Sequence, residues 1–112
     1  MNFTTPEGTE SALVFVNFAV KQTRVAIDRT TDGHLTLGLR SYRTACRAIR
    51  TAYNESGIDE LERLHRQYLK ALLEFEVSVG LGNTGATKRV AQSTVATLEQ
   101  ALDVIKSAYQ SA

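Results

Sequence analysis

Residues 11–28 read SALVFVNFAVKQTRVAID, and the reading of this stretch decides the fold. Set at about 100° per residue, Leu13, Val16, Ala19, Val20, Thr23 and Ile27 fall on one side of a helix. Val14, Phe18 and Val25 fall nearly opposite, and Asn17, Lys21, Arg24 and Asp28 form a narrow polar strip between them. A surface helix carries one apolar stripe, whereas a helix apolar on two flanks is central to its fold or is pressed against a second chain. The β-branched density over Leu13 to Val20 leaves a strand as the alternative there, but the period continues through Val25 and Ile27 and favours a helix.

Outward from this stretch, turn-forming clusters at Thr30-Thr31-Asp32-Gly33, Asn54-Glu55-Ser56-Gly57 and Gly80 to Gly85 cut the chain into four segments of similar length. The one proline, Pro6, lies ahead of all of them. Leu35, Leu39, Tyr42, Cys46, Ile49 and Tyr53 alternate steps of four and three, as a helical seam does. Leu61, Leu64, Tyr68, Leu72, Phe75 and Val79 make a third core stripe, with Leu69, Leu73 and Val77 as a second stripe beside it. Ala91, Thr94, Leu98, Leu102, Ile105 and Tyr109 make a fourth. Thr9 or Ser11 is placed to cap the first helix and Ser56 the third, and Asp59, Glu60 and Glu62 complement the dipole of the third. The expected architecture is a single all-α domain over 1–112, an antiparallel four-helix bundle with an arm at 1–9 and helices at about 10–30, 34–54, 57–80 and 84–110.

Composition bounds the function. At 112 residues the chain can bury a core without metal or disulfide support. Thirteen basic and twelve acidic side chains give a net charge of +1, so no overall field draws in nucleic acid or anionic lipid. Cys46 is the one cysteine, which excludes an intramolecular disulfide and suits a reducing, cytoplasmic setting. The apolar run Ala12 to Val20 is too short to span a bilayer and follows no basic leader, so a soluble protein is expected.

Chemistry-bearing patterns are sparse. Gly80-Leu81-Gly82-Asn83-Thr84-Gly85 has the letters of a dinucleotide-binding loop, with Asp103 near the spacing of its acid. It follows a helical segment rather than a strand, and Ala86 stands where a P-loop would need lysine. A glycine C-cap, a turn and an Asn or Thr N-cap account for it. Two histidines and one cysteine, dispersed along the chain, give no metal-ligand spacing, and no cofactor is expected. Cys46 on a helical seam reads as a small buried apolar group, and the four tyrosines fall on core stripes where their hydroxyls need polar partners.

Three functional readings follow. The first is a non-catalytic interaction or structural module, homodimeric, in which Val14, Phe18, Val25, Leu69, Leu73 and Val77 form the contact surfaces. In a square bundle the first and third helices are diagonal, so these stripes share no single surface: either the interface wraps around, or one helix crosses the core in another arrangement, or one stripe serves the dimer and the other a different protein. The second is anion or nucleic-acid binding through Arg40, Arg43, Arg47 and Arg50, which fall within a strip of about 80° on the second helix. Acids on neighbouring helices compete for the same guanidinium groups. The third rests on His34-Leu35-Thr36-Leu37-Gly38, which resembles the phosphoacceptor segment of histidine phosphotransfer domains. That resemblance implies a phosphorylated His34 and an aspartyl response regulator as partner. It covers five residues and departs at Thr36 and Leu37, where the family has leucine and lysine, and its histidine lies well inside a helix.

Overall fold

The four periodic segments form four helices: α1 Pro6–Thr31, α2 Leu35–Ser56, α3 Asp59–Gly80 and α4 Thr84–Ser111. The structure is a computed structural model and describes residues 6–111, with side-chain burial over 7–107; Tyr109 lies outside the latter range. No strand occurs among the described residues, so 13–20 is helical throughout.

Helix ends differ from expectation in two places. α1 begins at Pro6, inside the expected arm, because a proline at the first helical position lacks only an N–H that would have had no intrahelical partner. Thr9 is therefore a buried residue of the first turns rather than a cap. Ser56 ends α2 instead of opening α3. Its hydroxyl donates to Ala52 O at 2.7 Å and accepts from the Ile58 N–H at 3.2 Å, so it serves both helix ends.

Round the bundle, α1 meets α2, α2 meets α3, α3 meets α4 and α4 meets α1, while α1 and α3 share no backbone contact among the described residues. The most extensive contact is α1 with α2. It is made possible by a row of small residues on α2, Gly38, Ser41, Ala45, Ala48 and Ala52, all buried. A β-carbon on Gly38 would stand 2.8 Å from Thr30 Oγ1 and 3.2 Å from Ala26 O, so the glycine sets how near α1 can lie. Ser41 accepts a hydrogen bond from Arg29 of α1 at 2.8 Å, on the same side.

The larger row of α2 points into the bundle. The Tyr42 ring lies 4.4 Å from those of Tyr68 and Phe75, centroid to centroid. The two tyrosine hydroxyls cross the diagonals, Tyr68 to Thr23 at 2.8 Å and Tyr42 to Thr94 at 2.5 Å. Each threonine already donates its only proton to a carbonyl four residues back, Thr23 to Ala19 and Thr94 to Val90. The tyrosines are therefore the donors. Burial pushes both phenols well above the ordinary tyrosine range, which keeps them protonated for that role.

Candidate functional site

Opposite its small-residue row, α2 parts from its neighbour. Between α2 and α3 lies an open groove of about 600 Å³. Arg40, Arg43, Arg47 and Arg50 form its α2 lip. Each follows directly on a residue of the core-facing row, Leu39, Tyr42, Cys46 and Ile49. One step along a helix turns a side chain by about 100°, from the core to its margin. Leu39 and Cys46 from α2 and Leu69 and Leu72 from α3 supply the apolar lining, with His65 on the α3 side.

The arginines are unequally engaged. Arg43 pairs with Glu76 of α3 at 3.4 Å, bridging the groove. Among the described residues, Arg40, Arg47 and Arg50 have no ion-pair partner. Competition from helix 3 thus exists at one position of four. Burial lowers the pKa of His65, and the nearby Arg50 charge lowers it further, so its imidazole is neutral at pH 7. Burial raises the Cys46 thiol, with Arg47 acting the other way. It therefore stays protonated at neutral pH. No cluster of histidine, cysteine or carboxylate side chains suited to a metal ion occurs among the described residues.

The two expected apolar stripes stand on opposite corners of the bundle. On α1, Val14 is 61% and Phe18 42% exposed, whereas Val25 is partly covered. On α3, Leu69, Leu73 and Val77 are 42%, 65% and 63% exposed. Leu69 belongs both to this stripe and to the groove.

The remaining motifs fall on connections. His34 precedes α2, is exposed and makes no capping bond through its side chain, so it does not sit inside a helix as the phosphotransfer family's histidine does. Gly82 turns the chain after α3 with φ +66°, and Asn83 Oδ1 caps α4 by accepting from the Ala86 N–H at 3.0 Å. The glycine-rich stretch is thus a helix–turn–helix joint with no strand ahead of it. Cys46, Leu39, Leu72 and His65 were not candidate site residues on the sequence, although the step from each arginine back to a core residue was there to be read. No protein-family model, no curated protein and no solved structure matches this chain.

Proposed function

We propose that this chain is a non-catalytic, antiparallel four-helix interaction module with two separate contact faces. The face on α1, centred on Val14 and Phe18 with Val25 at its margin, takes a second copy of the chain. The face on α3, with Leu69, Leu73 and Val77, takes a different protein. The observation that carries this reading is the diagonal placement of two exposed apolar stripes around a core that is already filled. One twofold contact cannot cover both corners, so two contacts are needed. Connections of only two or three residues between consecutive helices support the up-down order. A lone buried thiol fits a reducing compartment such as the cytoplasm. No described helix is long and apolar enough to cross a membrane.

Light scattering tests it. Wild type is expected to have the mass of a dimer, Phe18→Asp that of a monomer, and Leu73→Asp that of a dimer still. A monomeric wild type, or a dimer that survives Phe18→Asp, would overturn the assignment of α1.

A further inference from the structure

We propose that the groove between α2 and α3 receives an amphipathic α-helix of a partner protein, one that carries carboxylates along the edge facing Arg40, Arg47 and Arg50. This rests on the reading of the α3 side as an interaction face and names what that face binds.

Three features select such a helix. First, the cations form a ladder. Arg40 lies ten steps before Arg50 on α2, about 15 Å at 1.5 Å per residue. Successive arginines are three or four residues apart, roughly one helical turn. A helix lying alongside presents acids at the same pitch, so several pairs can form in one register. Second, the lining is apolar, and it continues outward. From Leu69 the exposed surface runs on to Leu73 and Val77, one turn and two turns along α3. That gives an elongated apolar strip beside the charged one, which matches a helix with leucine-type residues next to its acidic edge. Third, the arginines are held ready. Three of the four lack a carboxylate among the described residues, while Glu76 engages the fourth, so a partner's acids replace water rather than an existing bridge.

The same features disfavour other anions. Single-stranded nucleic acid is gripped by basic grooves with several aromatic platforms for stacking, and no phenylalanine, tyrosine or tryptophan lines this groove, which offers only the His65 imidazole. A small anionic amphiphile uses one or two cations at its head and leaves the rest of the ladder without a role.

The test is a charge swap. The probe is a fluorescein-labelled peptide of about 18 residues, long enough to hold a helix, with Leu at steps of three and four and Glu along one flank. A matched peptide carries Lys in place of Glu. Wild type is expected to bind the Glu peptide, measured by anisotropy, and to ignore the Lys peptide. Arg47→Glu with Arg50→Glu is expected to weaken the Glu peptide at least about tenfold and to gain the Lys peptide. Arg24→Glu, on the α1–α4 side of the bundle and paired with Glu99, is expected to change nothing. Helical circular dichroism confirms that each variant is folded.

Indifference of the Glu peptide to the double reversal would overturn the proposal. So would failure of that peptide to bind, whether nothing binds or a single-stranded oligonucleotide or dodecyl phosphate binds instead. The dimer is judged separately: a monomeric wild type that still shows the charge swap sinks only the α1 contact, and a dimer without it sinks only the groove.

Discussion

α2 meets its two neighbours in opposite ways. Toward α1 it offers Gly38, Ser41 and a run of alanines, and the two backbones close until a single β-carbon would collide. Toward α3 it offers tyrosine, cysteine, leucine and arginine, and a groove of about 600 Å³ stays open. The lesson is that the spacing between helices follows the size of the side chains between them. A bundle can weld one pair shut with small residues and hold another apart with large ones. The welded pair serves stability, and the parted pair has room for a ligand.

The largest expected effect comes from breaking the welded seam. Gly38→Leu inserts a side chain where even a methyl group has no room, and it should cost about 3 kcal/mol or more in urea unfolding. Arg47→Leu adds apolar bulk on the other side of the same helix, at an exposed lip, and should stay within about 0.5 kcal/mol of wild type. Equal costs for the two would erase the distinction between the seams. A finer version uses Gly38→Ala. Its gain in helix propensity, about 0.5–1 kcal/mol, opposes the clash with Thr30 Oγ1, a buried hydroxyl with no hydrogen-bond partner among the described residues. Adding Thr30→Ala should recover part of the loss, giving a coupling of at least about 0.5 kcal/mol in a double-mutant cycle.

The next effect concerns the centre, where both seams meet. Tyr68→Phe removes the donor to Thr23 across one diagonal, and Tyr42→Phe the donor to Thr94 across the other. Both threonines keep their own carbonyl bonds, so neither is stranded. Each substitution should therefore cost only about 1 kcal/mol, again by urea unfolding.

The contrast between the seams also explains what the sequence could reveal. The large rows were legible: Val16, Tyr42, Ile49, Leu61, Tyr68, Phe75 and Leu98 repeat at helical spacing and are buried. The small row was not, because glycine, serine and alanine carry too little hydropathy to stand out and are at home on any helix face. The arginine ladder was visible as a strip, but the groove it borders depends on the distance between two helices remote in sequence. Val25 shows a related limit. A wheel gives direction, while burial depends also on how the neighbours lean, and a residue opposite the core can be half covered. Pro6 looks on sequence like part of an arm outside the first helix, yet a residue that breaks a helix interior starts one at the first turn.

The smallest expected effect lies inside the groove, at His65. Burial and the Arg50 charge both disfavour the imidazolium, so its folded pKa lies below the ordinary value of 6.5. The sign follows from proton counting: between the two values the unfolded chain binds more protons than the folded one. The contribution of neutral His65 to stability is thus complete above pH 6.5 and is lost as pH falls toward the folded value. NMR titration of His65 should give a midpoint below 6.5, and Arg50→Gln should raise it without abolishing the shift, because burial is the larger cause. A midpoint unmoved by Arg50→Gln would mean that the guanidinium points away from the groove, and that the ladder of free cations is one rung shorter than the geometry indicates. A partner's carboxylates would move the same midpoint upward, so this titration also reports whether acids have entered beside Arg50.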